Sequence, residues 1–149
     1  MEENTLNIFF TKDEELIRKA VAAIDPLFPV GMHGQPDPEE KLNKLLKYAD
    51  ILVAMDGDVV AGFAALYAND PETRLGYMPY MGVAEAYQGH HLAVTFMERC
   101  EELARERGMT RMRMEVSDSN DRIVRFHSRR GYVRIGASEE GSSYMERAL

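Results

Sequence analysis

Apolar residues in this chain recur with two alternating periods, and the switches between those periods mark out its elements. Thr5 to Phe10 reads as a short apolar strand. Thr11-Lys12-Asp13-Glu14 then has the form of a capping box, and Leu16, Ile17, Ala20, Val21 and Ile24 follow on one helical face. Pro26 stops that helix. Residues 26–38 hold four prolines and two glycines, the composition of a loop. Asp37 is placed to cap a second helix, with Pro38 at its first position, Glu40 closing another box and Leu42, Leu45 and Leu46 as its stripe. Two apolar runs flank Asp56-Gly57, which predicts a hairpin whose tight turn has positive φ at both central residues.

The second half continues the alternation. Tyr77 to Val83 reads as a strand weakened by Pro79 and Gly82. A helix from His90 to Arg107 places Leu92, Phe96, Met97, Cys100, Leu103 and Ala104 inward, and Gly108 ends it. The strand Arg111–Val116, the helix Asn120–Arg130 with Gly131 beyond it, and the strands Tyr132–Gly136 and Ser142–Arg147 complete the chain. An antiparallel start followed by a strand-helix-strand crossover predicts a mixed α/β sheet of six to seven strands with helices on both faces.

Length and composition narrow the classes. At 149 residues the expectation is one domain. No apolar run approaches the ~20 residues of a membrane span, and the first residues lack a signal-peptide layout. Cys100 is the single cysteine, so no internal disulfide forms, and its place on an apolar stripe reads as a buried small hydrophobe. These features point to the cytoplasm and to no membrane partner. The net charge of −7 argues against nucleic acid. That charge is uneven: residues 1–87 carry 7 Lys/Arg and 15 Asp/Glu, whereas residues 88–135 carry 10 and 7. A basic segment suits a phosphate-rich cofactor, and an acidic one suits a cationic amine; unequal solvated faces account for the same numbers.

Residues 81–93, M-G-V-A-E-A-Y-Q-G-H-H-L-A, carry the most chemistry. A strand ends near Val83, a short turn follows and a helix opens. Unpartnered N–H groups and the helix dipole at such a corner form a site for an anion such as a pyrophosphate. No G-x-x-x-x-G-K-[ST], H-E-x-x-H or G-x-S-x-G motif is present. Adjacent His90 and His91 lie about 100° apart on a helix, which does not suit one metal, so no metal site is expected.

The corner and the later N…F-H-S-R-R-G-Y segment together resemble the GNAT superfamily of acyl-CoA-dependent N-acyltransferases. The likeness in order and length of elements extends over essentially the whole chain. The superfamily's phosphate motif is Gln or Arg, two residues, Gly, one residue, then Gly or Ala. Here Gln88 and Ala93 stand at its ends, with His91 at the glycine position. The resemblance implies acetyl-CoA as co-substrate, with Met81, Gly82 and Val83 along the pantetheine arm. It places Gln88, Gly89, His90, His91, Leu92 and Ala93 at the pyrophosphate, with Asn120 and Phe126 nearby. Gly82, lacking a side chain, would leave room for that arm. Arg125 and Arg129 are candidates for the outer phosphate.

In the later segment Asn120, Phe126, His127, Arg129, Gly131 and Tyr132 occupy the superfamily's positions, and His127 stands where a tyrosine would protonate the departing thiolate. A histidine of unperturbed pKa about 6.5 can donate that proton; a neutral histidine packed between helix and sheet is the competing reading. Glu85 and Glu115 are candidate bases. The acceptor side would come from Phe28, Met32, His33, Tyr67, Asn69, Tyr77 and Tyr80, with Phe28, Tyr67 and Tyr80 foremost. The implied reaction is direct acetyl transfer to a primary amine of a small molecule, an amino sugar among the possibilities. A catalytically degenerate binder and a protein-modifying acetyltransferase are the alternatives, and homodimers are common in the superfamily.

Overall fold

The computed structural model describes residues 6–28, 31–89 and 91–149. Among these residues seven strands and four helices run in the order β1 (Asn7–Thr11), α1 (Glu14–Ile24), α2 (Pro38–Tyr48), β2 (Asp50–Asp56), β3 (Val59–Tyr67), β4 (Leu75–Val83), α3 (Leu92–Glu106), β5 (Arg111–Ser117), α4 (Asp121–Arg129), β6 (Val133–Glu139) and β7 (Ser142–Ala148). Short 3-10 turns occupy Asp25–Leu27 and Glu85–Tyr87. The strands form one sheet in the order β1-β2-β3-β4-β5-β7-β6, with β4 and β5 parallel, as the mixed-sheet expectation requires. Two compact units are distinguishable. The first comprises the described residues of Met1–Tyr67 and Tyr80–Cys100, the second Ala68–Pro79 and Glu101–Leu149.

In the first unit, strand alternation places helices on both sheet faces. Ile51, Val53 and Met55 of β2 and Phe63 and Ala65 of β3 pack with Ile17, Ala20, Val21 and Ile24 of α1. Leu45 of α2 is buried in the same cluster, with Leu42 and Leu46 against it. Gly62, on the opposite face of β3, lies against Phe96 of α3. Because neither face meets water, β2 and β3 read as nearly continuous apolar runs rather than as alternating ones.

Several local details differ from the sequence expectation. Thr5 lies outside the described residues. Asp13, not Thr11, caps α1 by accepting from the Leu16 N–H at 3.0 Å, while the Thr11 hydroxyl accepts from Asp13 N–H. Asp37 caps α2 only by position: it stands in the left-handed region (φ 52°), and its carbonyl rather than its side chain accepts from Glu40 and Lys41. In the hairpin Asp56 pairs with Val59, so the central residues are Gly57 and Asp58. Only Gly57 has positive φ (60°), the type II′ pattern rather than I′. β4 begins two residues earlier than expected, and α3 begins at Leu92.

In the second unit both helix ends close as the glycines predict. Met109 N–H reaches Ala104 O and Gly108 N–H reaches Arg105 O; Tyr132 and Gly131 repeat that pair of bonds onto His127 and Ser128. Glu101, on the inner side of α3, is buried and bonds the Tyr132 hydroxyl at 2.7 Å and Arg130 at 3.0 Å. A buried carboxylate is tolerable only with such partners. Burial and the Glu101 carboxylate together hold the Tyr132 hydroxyl in its protonated form, well above the usual tyrosine range.

A Cβ at Gly62 would meet the Gly82 carbonyl at 2.7 Å and the Phe96 ring at 3.0 Å. Backbone cannot yield as a side-chain tip does, so Gly62→Ala is expected to cost about 1–3 kcal/mol. Urea unfolding checks this; an unchanged midpoint would contradict the packing.

Candidate active site

The corner between β4 and α3 lies in the first unit. Gly82 turns its carbonyl toward Gly62 of β3, and Ala84 N–H donates to Ala61 O at 2.8 Å. Main-chain groups alternate sides along a strand, so the N–H groups of Met81 and Val83 turn away from β3. Pairing of β4 with β5 runs from Leu75↔Arg111 to Met78↔Met114. Pro79 follows, with no N–H to extend a ladder.

After Val83 the 3-10 turn Glu85–Tyr87 carries the chain toward α3. Tyr87 N–H bonds Ala84 O, and the Tyr87 hydroxyl donates to Asp56 at 2.5 Å. Gln88 donates twice inside this corner: its N–H goes to Glu85 O and its side-chain amide to Val83 O at 3.1 Å. The side chain is thus a brace that closes the turn. Gly89 has φ 87° and His91 φ 60°. His90 lies outside the described residues. Among the described residues nothing accepts from the N–H groups of Gly89, His91, Leu92 or Ala93. They are the orphan donors that any helix start leaves, gathered at the positive end of the α3 dipole.

His91 thus keeps the left-handed backbone that the motif glycine would adopt, and its side chain is exposed. Holding a side-chain-bearing residue there costs about 1–2 kcal/mol. The imidazole points to water instead of filling the corner.

Gly82 has a packing role as well. A Cβ there would stand 2.6 Å from Ile24 Cγ2 and 2.9 Å from the Phe28 ring, so the missing side chain makes room for the end of α1 and for Phe28. Phe28 and Tyr80 are ring neighbours, 6.2 Å apart between centroids. Gln35 donates to the Tyr80 hydroxyl at 3.2 Å and to Gly31 O at 2.8 Å. Burial pushes the Tyr67 hydroxyl up to about 12, with Tyr80 nearby adding to the effect, and Lys44 sits over the Tyr67 ring. Burial likewise raises Tyr80, with the Asp25 charge adding and the Gln35 bond opposing. Phe28, Tyr67 and Tyr80 therefore share one polar-edged aromatic wall.

Asp25 supports this wall and was not singled out from sequence, where it reads only as the residue before a helix-stopping proline. It is buried, and its carboxylate accepts from Met32 N–H at 2.8 Å, His33 N–H at 2.9 Å and the His33 ring Nδ1 at 2.9 Å. Gly31 permits the fold-back: it has φ 55°, and a Cβ would meet Asp25 Oδ1 at 2.6 Å.

Of the remaining expected residues, Glu85 is exposed on the 3-10 turn. Asn120, Phe126, His127, Glu115, Asn69 and Tyr77 belong to the second unit, as do Arg125 and Arg129, which are exposed. Asn120 caps α4 by accepting from Ile123 N–H at 3.1 Å. Glu115 accepts from Ser138 Oγ at 2.6 Å. His127 is 4% exposed, edge-on to Phe126 and Tyr132, and its Nδ1 has no partner among the described residues. Burial, aided by Arg130, pushes its pKa down to about 4. The cationic acid expected from an unperturbed histidine is thus not the species present near neutrality; the packed, neutral histidine is.

His91→Gly relieves the backbone strain and is expected to raise stability by about 1 kcal/mol in urea unfolding, against the loss of about 0.5–1 kcal/mol that Gly brings at an unstrained site. For His127 the folded pKa lies below the unfolded one, so the folded chain binds fewer protons, and stability falls as pH drops from about 6.5 to about 4. Imidazole NMR should show this ring neutral down to about pH 4; titration near 6.5 would restore the acid.

A family model for the acetyltransferase (GNAT) family matches residues 18–132. Among solved structures, YncA from Salmonella typhimurium, determined with its cofactor acetyl-CoA, superposes with TM-score 0.77 at 18% identity over 98% of this chain and 95% of that one. Ard1 from Thermoplasma volcanium gives TM-score 0.77 at 18% identity over 97% and 98%. A nourseothricin acetyltransferase gives 0.61 at 24% identity, and there the match spans 68% of this chain and 66% of that one. Among curated proteins none matches this sequence. At these identities the structures establish a shared fold, and the family model covers well over half of the residues. The chain belongs to the acetyltransferase (GNAT) family.

Proposed function

We propose that the protein moves an acetyl group from acetyl-CoA to the primary amine of a small molecule by direct attack, with both reactants bound together. The observation that carries this reading is the set of N–H groups at Gly89, His91, Leu92 and Ala93 for which no described residue supplies an acceptor. Four donors at a helix start suit the pyrophosphate of a coenzyme A. The backbone N–H groups of Met81 and Val83, turned away from β3, suit an extended arm that adds to the sheet edge, and either can stabilise charge on a carbonyl oxygen. When bound, acetyl-CoA would supply an activated thioester carbonyl. The chain's own contribution is then chiefly positioning, which is worth several kcal/mol when two reactants are held side by side. The Salmonella structure determined with acetyl-CoA supports the cofactor assignment.

A cationic acceptor suits the acidic character of residues 1–87 and the buried carboxylate of Asp25 behind the Phe28–Tyr80 wall. Amino sugars belong among the acceptors to be tried. The second reading, a member that binds acetyl-CoA and transfers nothing, is favoured by one observation: His127 is neutral and enclosed. A thiolate leaves readily without a protein acid, so this observation does not remove the transferase.

Calorimetry with acetyl-CoA should give saturable binding within the range of about 1 μM–1 mM usual for enzyme substrates. Thiol release should then appear with at least one of glucosamine, spermidine, phenethylamine and lysine methyl ester. No heat at millimolar acetyl-CoA would overturn the reading. Binding without thiol release would establish the second one.

A further inference from the structure

We infer that Asp25 and His33 form a base dyad that takes the proton from the acceptor amine, His33 as the catalytic residue and Asp25 as its positioning residue. This rests on the transfer reading above and assigns it a residue that neither the motif nor the family match singles out.

The Asp25 carboxylate is buried and bound by two main-chain N–H groups of the loop that also carries His33. Those bonds fix His33 relative to Asp25 independently of the ring. The ring then adds a third contact, Nδ1 to Asp25 Oδ2 at 2.9 Å. A carboxylate can only accept, so Nδ1 carries a hydrogen, and in the neutral ring Nε2 is left with its lone pair. The His33 side chain is 48% exposed while that of Asp25 is 7% exposed, so one end of the dyad is sealed and the other meets solvent. An orienting carboxylate behind a histidine whose second nitrogen has no partner among the described residues is the arrangement a general base requires.

Its location suits the amine. Ile24 and Phe28, which bracket Asp25, press on Gly82 of β4, one residue from the outward N–H groups of Met81 and Val83. Tyr80 of β4 senses the Asp25 charge and is bonded by Gln35, two residues beyond His33. The charged and titratable groups facing the dyad among the described residues are thus Tyr80 from β4, Tyr67 from β3 and Lys44 from α2 over the Tyr67 ring. Glu85, one of the two bases considered from sequence, is exposed on the 3-10 turn of the corner.

In the transfer, Nε2 of His33 removes one proton from the ammonium, and the imidazolium is held by the Asp25 carboxylate until that proton passes to water. The freed nitrogen lone pair forms the bond to the thioester carbonyl carbon. The carbon–sulfur bond breaks with its electron pair going to sulfur, and the nitrogen's second proton ends on that sulfur.

His33→Gln keeps the main-chain bond to Asp25 and a side chain of similar reach but cannot titrate. With whichever amine of the panel is accepted, kcat should fall about 100-fold or more, acetyl-CoA affinity should stay within about threefold, and the limb of kcat/KM that rises with pH should vanish. Nitrogen-15 imidazole NMR of the unsubstituted protein should show that the neutral His33 ring carries its hydrogen on Nδ1 and none on Nε2. Asp25→Asn should lose the same limb even where its melting temperature is lowered. If His33→Gln keeps both rate and profile while the parent protein turns over, the dyad falls and the transferase stands. The dyad falls equally if Glu85→Gln alone removes the limb, or if the neutral ring carries its hydrogen on Nε2. If the parent binds acetyl-CoA but acetylates no amine of the panel, the transfer reading falls and takes the dyad with it.

Discussion

A helix cannot satisfy its own first N–H groups, and at the start of α3 no described residue does so for it. Nearly every feature of the corner follows from keeping those donors open. Gln88 turns its amide back onto Val83, the 3-10 turn uses its own carbonyls internally, and Gly89 and His91 adopt positive φ so that the chain enters the helix with its amides outward. A side chain at residue 91 is compatible with this only because it points into water. The strain there is modest beside the advantage of a prearranged anion site, whose donors need no reorganisation when charge arrives.

The acceptor side is governed by a second constraint, the burial of Asp25. A lone carboxylate at that depth would be prohibitive, and the loop beyond it folds back to supply N–H donors from Met32 and His33. The closeness of that fold-back is what requires Gly31. It also sets Phe28 against Gly82 and Gln35 against Tyr80, so one buried charge organises the aromatic wall. Stability and function meet in the same residue.

Periodicity revealed the fold because both faces of β2 and β3 are covered and the helical stripes of α1, α2 and α3 match them. Gly108 and Gly131 were legible as helix ends because the left-handed residue at such an end is a local requirement. The places that misled are those where several residues of one chemistry compete. Thr11 and Asp13 both suit a cap, and only the geometry chooses Asp13. Asp37 stands at the right position with the wrong φ. Around the site, spacing located the open amides but not what their neighbours do. The Gln88 brace, the occupancy beside Gly82 and the depressed pKa of His127 depend on tertiary neighbours. Asp25 and His33 were invisible as a pair because they stand 8 positions apart in the chain, and nothing in a proline-rich loop announces that it folds back.

The central claim is that backbone amides at one sheet-to-helix corner hold the diphosphate of acetyl-CoA. The most direct test is a nitrogen-15 amide titration with acetyl-CoA, compared with the same titration using dephosphorylated pantetheine. The account predicts that acetyl-CoA shifts Gly89, His91, Leu92 and Ala93 saturably and more than any other amides, and that pantetheine leaves these four in place. Binding that moves other amides and spares these four would contradict it.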